Sequence, residues 1–205
     1  MKKILFLTVL IVCVSFAVSA QGLYFDIGVG LGKTVTELNG KDVMKAFSSL
    51  GADINEIAFD VDARVGYGPF GRLPLYAVLE LDVTGHRIYN SSDSSDYIQF
   101  GTYLVGPGIM FYPIPFVQLG AALGFSLVDN KSSDSSIKWA ESEKGFAWNI
   151  SAAVDLGKGK NACLIGVKYY WAKDILNNTL KPEQTTSMFC VFVKYAFRDR
   201  APSLF

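Results

Sequence analysis

Few residues in this chain could do chemistry. It has one histidine, His86, with Thr84 and Asp82 just before it. Hydroxyl, imidazole and carboxylate groups are the parts of a nucleophilic triad, in which the ring takes the hydroxyl proton and the acid orients the ring. A triad is defined by geometry, and no serine-centred nucleophile motif accompanies His86, so a hydrogen-bonded structural histidine is expected. Cys163 and Cys190 show no metal-ligand spacing. They read as small apolar fillers at different heights in the fold, with free thiols. Gly28-Val-Gly30-Leu-Gly32 is rich in glycine like a phosphate loop, yet it lies inside an alternating segment, where glycine serves packing. No catalytic residue, cofactor or metal is expected, and the chain reads as non-enzymatic.

The remaining chemistry is charge set out in a pattern. Asp26, Glu56, Asp60, Asp62, Arg64, Glu80, Asp82, His86, Asp155, Lys168 and Lys194 fall at alternate positions of segments whose other positions are bulky and apolar. In residues 23–34, Leu23, Phe25, Ile27, Val29 and Leu31 alternate with Tyr24, Asp26 and three glycines. Residues 57–67, 79–86, 117–127, 146–156, 163–171 and 189–197 repeat the arrangement. This is period two, the signature of strands with one apolar face, and not the helical 3.6. Residues 97–112 make a less regular strand, in which Gly106-Pro107-Gly108 predicts a bulge or bend.

Eight such strands of about ten residues each have the length needed to cross a bilayer at a tilt. Connections 35–52, 90–96, 129–144 and 174–184 read as outer loops, and 68–74, 113–115 and 157–161 as short inner turns. A short helix is expected in the first loop, capped by Asp42, with Val43, Met44, Phe47 and Leu50 as its apolar stripe. Helical spans are disfavoured because Pro107, Pro113 and Pro115 interrupt the long uncharged stretch 97–128. A soluble barrel would carry longer, more charged side chains opposite its apolar face. Here that face holds many small residues, which suit the crowded interior of a narrow barrel. Aromatics such as Tyr24, Tyr76, Tyr112 and Tyr195 near one set of strand ends, and Trp148 and Trp171 toward the other, are expected to form interfacial girdles. The fold class is thus all-β, an eight-stranded antiparallel up-and-down transmembrane barrel spanning 21–205.

Lys2 and Lys3, the apolar run from Ile4 and the small residues before Gln21 predict a signal peptide over 1–20. With this leader, eight amphipathic strands, and the aromatics Tyr195, Phe197 and Phe205 at the C-terminus, the mature chain resembles the small outer-membrane barrels of the OmpX, OmpW and OmpA-transmembrane-domain type. The resemblance implies an outer-membrane location in a diderm bacterium. It also implies a C-terminal signal for the barrel-assembly machinery, carried by Tyr195 with Phe197 or Phe205. Implied partners are outer-membrane lipid and a host or extracellular ligand at loops 35–52, 90–96, 129–144 and 174–184. The net charge of +0 argues against nucleic acid.

Three functions follow in order of preference. The first is a non-enzymatic protein presenting surface loops, for envelope integrity, adhesion or immune interaction. The second is a transporter or narrow pore for small solutes, hydrophobic ones included, with Gly106, Pro107 and Gly108 as a lateral opening. The third is a lipid-modifying enzyme built on His86. Inside so narrow a barrel, Arg64 with Lys168 or Lys194 must bridge the lumenal acids, because an isolated buried charge costs several kcal/mol.

Overall fold

The computed structural model describes residues 22–70, 74–134, 136, 139, 141–157, 159–177 and 180–199. The expected leader, 1–20, and Phe205 lie outside them. The elements are β1 (Leu23–Leu38), β2 (Lys41–Asp42), α1 (Val43–Ser49), β3 (Ile54–Tyr67), β4 (Leu75–Asn90), β5 (Tyr97–Ile114), β6 (Val117–Ser132), β7 (Ser142–Asp155), β8 (Asn161–Leu176) and β9 (Glu183–Arg198). The short β2 pairs only with the end of β1. The other eight strands form one antiparallel sheet in sequence order, and β9 returns to pair with β1, from Tyr24↔Arg198 to Leu38↔Gln184. The ring is therefore closed, so each of the eight strands has a neighbour on both sides, although β6 pairs with β7 only over Val117–Phe125 and β1 with β3 only over Leu23–Gly32.

The stagger of this ring can be followed residue by residue. From Thr34 the pairing passes through Met188, Tyr170, Asn149, Ala122, Gly108, Val78 and Gly66 to Tyr24. One circuit thus descends β1 from position 34 to position 24. Strands in such a barrel tilt by roughly 40°, and eight of them enclose a space that side chains alone fill.

The two faces are inverted relative to a soluble protein. Val29 is 62% exposed, Leu31 64% and Phe125 80%, while Asp60, Asp62, Arg64, Glu80, Asp82, Lys168 and Lys194 are buried. A continuous apolar exterior around a polar core is the arrangement that lipid requires.

Four expectations are corrected. The strands run to 14–18 residues, so the outer connections shrink to 39–53, 91–96, 133–141 and 177–182. Polar residues such as Thr34, Thr36, Gln184 and Thr186 continue the ladder beyond the apolar alternation. Second, Gly106-Pro107-Gly108 makes no bulge. β4 pairs straight through it, and the register with β6 is the same at Val105↔Phe125 as at Gly108↔Ala122. The glycines allow close contact instead. A Cβ on Gly106 would lie 2.1 Å from the Leu123 carbonyl oxygen and 2.6 Å from the Gly124 Cα. The irregularities fall at Phe111/Ile114 and Ser142/Lys144. Third, α1 is capped by the Asp42 side chain, which accepts from the Lys45 N–H, and Val43, Met44 and Phe47 pack inward, but Leu50 is 81% exposed. It lies past the last turn and leaves the stripe. Fourth, Tyr24, Tyr76 and Tyr112 point into the barrel and not toward the interface.

The Gly106 contact yields a test. Gly106→Ala is expected to destabilise the barrel by about 1–3 kcal/mol, since an added methyl must push two paired backbones apart. Gly159→Ala, where nothing lies within 4 Å, should be near neutral. Urea unfolding in detergent, followed by tryptophan fluorescence, compares the two.

Candidate functional site

The lumen is built in tiers. At the end marked by the short turns, Tyr24, Tyr76, Met110, Tyr112, Leu164 and Phe192 make an apolar plug. The Tyr24 and Tyr76 rings are 5.3 Å apart and those of Tyr76 and Tyr112 5.8 Å. Gln118 Nε2 donates to the hydroxyls of Tyr24 (3.0 Å) and Tyr112 (2.8 Å), so the polar tips inside the plug are partnered. Arg198 closes this end. It donates to Asp155, to the Tyr112 hydroxyl and to the carbonyls of Gly157 and Gly159.

Above the plug lies the charged tier, and pairing register explains its order. Asp26, Arg64 and Glu80 are cross-strand neighbours on β1, β3 and β4, giving acid, base, acid in a row. Arg64 grips Glu80 with two bonds, Nε to Oε2 at 2.9 Å and Nη2 to Oε1 at 3.2 Å, while its Nη1 is 3.9 Å from Asp26. One row higher, Asp62 faces Asp82. Two like charges opposite one another repel. Lys168 resolves this from the far wall on β8, with its ammonium 2.6 Å from Asp60, 2.8 Å from Asp62 and 3.0 Å from Asp82. Lys194 on β9 adds contacts at 2.7 Å to Asp62 and 3.8 Å to Asp26. Asn149 donates its amide to both Glu80 (2.8 Å) and Asp82 (2.6 Å). Asp62, Glu80 and Asp82 bring carboxylate oxygens within 4.8 Å of one another, a spacing that suits a cation. The cations among them are the protein's own ammonium and guanidinium groups.

The far rim has its own arrangement. His86 is fully buried, with Nδ1 2.9 Å from the Thr36 hydroxyl and Nε2 2.9 Å from the Glu56 carboxylate. Glu56 remains partly exposed. Over this rim, Val43, Met44 and Phe47 of α1 pack with Ile88, Phe100 and Trp139 as an apolar cap. The serine- and aspartate-rich loops fold on themselves. Asp93 Oδ1 accepts from the Ser95 hydroxyl (2.7 Å) and N–H (2.9 Å), and these bonds hold its carboxyl below the usual carboxylate range. Asp134 is lowered in the same way by Ser136.

The structure brings Asp26, Asp60, Asp62, Arg64, Glu80, Asp82, Lys168 and Lys194 together in one network, with His86 and Glu56 apart at the rim. Gly106, Pro107 and Gly108 lie in a continuous strand. Tyr195, on the outer face, donates its hydroxyl to Asn161 at 2.7 Å, and Phe197 pairs with Phe25. Cys163 is exposed and Cys190 is buried in the lumen, both as free thiols. Sequence reading missed Arg198, Gln118 and Asn149. Arg198 shares the parity of Lys194 and would have been found by extending the alternation past Phe197.

Neither protein-family models nor curated proteins match the chain. Solved structures do. Ail, the attachment invasion locus protein of Yersinia pestis, solved with the heparin analogue sucrose octasulfate, aligns with a TM-score of 0.51 at 16% identity, over 85% of this chain and 99% of Ail. The fold is that of the small outer-membrane β-barrels. Neisserial surface protein A gives a TM-score of 0.48 at 13% identity, over 85% of this chain and 97% of its own. OprG of Pseudomonas aeruginosa gives 0.46 at 11%, over 89% and 98%. At these identities the likeness is one of fold. Fold and apolar belt together place the chain in the outer membrane of a Gram-negative bacterium.

The charged tier makes a clear prediction. Lys168→Met strands the buried carboxylates of Asp60 and Asp82, leaves Asp62 with Lys194 alone, and should cost about 3–5 kcal/mol, while adding Asp60→Asn and Asp82→Asn should return much of that loss. Urea midpoints of the single and triple variants in detergent check it.

Proposed function

We propose that this protein is a non-enzymatic outer-membrane anchor whose work is done by the loops at the α1 end. The observation that carries this reading is the filled lumen: tyrosine plug, charged tier and apolar cap follow one another along the axis. A channel needs a continuous wet path with sites an ion can leave. Here the acids that would attract a cation are held at hydrogen-bond distance by Lys168 and Arg64.

The same geometry supports a structural role for His86. Its ring stands between a hydroxyl and a carboxylate, as a triad histidine does, but the Thr36 hydroxyl is itself buried, with no surface for a substrate to reach. β4 and β5 pair without a break at Gly106-Pro107-Gly108, and the β5–β6 ladder skips only Gly106 and Pro107 before resuming in the same register, which narrows the opening the transport reading needs. In this proposal lipid surrounds the belt, Tyr195 and Phe197 on the last strand meet the barrel-assembly machinery, and an extracellular or host ligand meets the loops.

Two experiments test it. Purified protein in planar bilayers is expected to give no stable, large conductance; such channels would overturn the anchor reading. In a Cys163→Ser background, Ser92→Cys should be labelled on intact cells by a membrane-impermeant maleimide, and Gly159→Cys only after permeabilisation. The reverse pattern would invert the orientation.

A further inference from the structure

The loop end holds a cavity of about 410 Å³ that no part of the anchor reading uses. Phe47 of α1 stands on one side of it. Ile54, Ile88 and Ile98, at the ends of β3, β4 and β5, supply an apolar wall, and Asp53 and Asp96 supply charge. No lysine or arginine is among its described lining residues. Pockets of about 300–1,000 Å³ with apolar walls and a few placed polar groups are the usual form of small-molecule sites.

Loop hydrogen bonds hold both acids in position. The Ser91 hydroxyl donates to Asp53 Oδ1 at 2.9 Å and the Ser133 hydroxyl to Asp96 Oδ1 at 3.0 Å. The backbone ties the same residues down: Ser91 N–H donates to the Asp53 carbonyl and Asn90 N–H to the Asp96 carbonyl, each at 3.0 Å. These two carboxylates therefore stand on fixed loop stems at the ends of the barrel wall. The base closest in sequence to the lining strand residues, Arg87, is already engaged. Its guanidinium stacks on the Tyr97 ring at 3.8 Å and donates to the Ser94 carbonyl at 3.2 Å. That contact also shows that the aromatic rim accepts a cation on its face.

We infer that this cavity binds a small amphipathic cation, an aromatic or alkyl amine whose body lies against Phe47 and the three isoleucines and whose ammonium meets Asp53 and Asp96. The apolar wall favours any apolar body, and the two acids, which form no ion pair among the described residues, select its charge. The assignment rests on reading the loop end as the working end of the molecule. Surface labelling on cells tests that reading and binding to purified barrel tests the pocket, so either can fail alone.

The test uses the full-length barrel in nanodiscs and three isosteric probes: 4-phenylbenzylamine, 4-phenylbenzyl alcohol and 4-phenylbenzoate. Binding is read by calorimetry, with empty nanodiscs subtracted. The amine is expected to bind saturably, roughly tenfold more tightly than the alcohol, as two partly exposed ion pairs allow, and the benzoate more weakly than either. The preference should shrink as salt is raised. Asp53→Asn with Asp96→Asn should erase the difference between amine and alcohol, while Phe47→Ala should weaken both equally. Equal binding of amine and alcohol to the native chain, an amine preference that survives the double substitution, or no saturable binding would overturn the proposal. Unchanged heat-modifiable migration on cold gels establishes that each variant is a folded barrel.

Discussion

Closure of the sheet is the constraint from which the rest of this structure follows. Inside a bilayer no water is present to satisfy a backbone N–H or carbonyl, so a spanning sheet must pair with itself. The β1–β9 seam meets that requirement. Closing with eight strands then makes the interior too narrow for anything but side chains. A narrow interior filled with side chains in turn dictates that every charge placed there has a partner. The acid–base–acid row of Asp26, Arg64 and Glu80 and the ammonium of Lys168 among three aspartates are the form this takes.

Much of this was legible in the sequence because a barrel wall has period two, and period two survives without any knowledge of the partner strand. Val29 and Asp60 reveal their faces through their neighbours alone. The charged tier was legible for the same reason, since parity assigned Asp62, Lys168 and Lys194 to one side. What parity does not carry is length and height. Thr34, Thr36, Gln184 and Thr186 extend the ladder, yet polar residues on both faces look like loop. Aromatics at strand ends are ambiguous too, because tyrosine suits both an interface and a plug. Tyr24, Tyr76 and Tyr112 went inside because their parity is that of Asp26, Glu80 and Met110. Glycine was the other blind spot. Beside a proline it suggests a bend, but Gly106 and Gly124 serve to let two backbones approach.

The asymmetry of the lumen separates two kinds of work. The tyrosine plug and Arg198 are held by side chains that reach across the barrel, and their polar atoms bond to one another. The α1 cap is held differently, by an excursion of the chain outside the ladder, with Val43 as its one buried helical residue. Regions with few buried apolar contacts open most readily. The loop end is thus held by loop packing rather than by bonds across the barrel, and loops on a rigid scaffold are where a surface that must meet other molecules is best placed.

Lys194 carries one more consequence. It lies on the last strand, opposite Gly28, where even a methyl group would collide with its Cγ at 2.2 Å. Its ammonium reaches Asp62 on β3 across the seam between the first and last strands. Those acids gain this counter-charge only when the ring is shut. Zipping the seam therefore delivers a second counter-charge to Asp62, while Arg64 meets Glu80 within the open sheet. A sheet not yet closed lacks the Lys194 partner of Asp62, so closing the seam brings an electrostatic gain together with its backbone pairing.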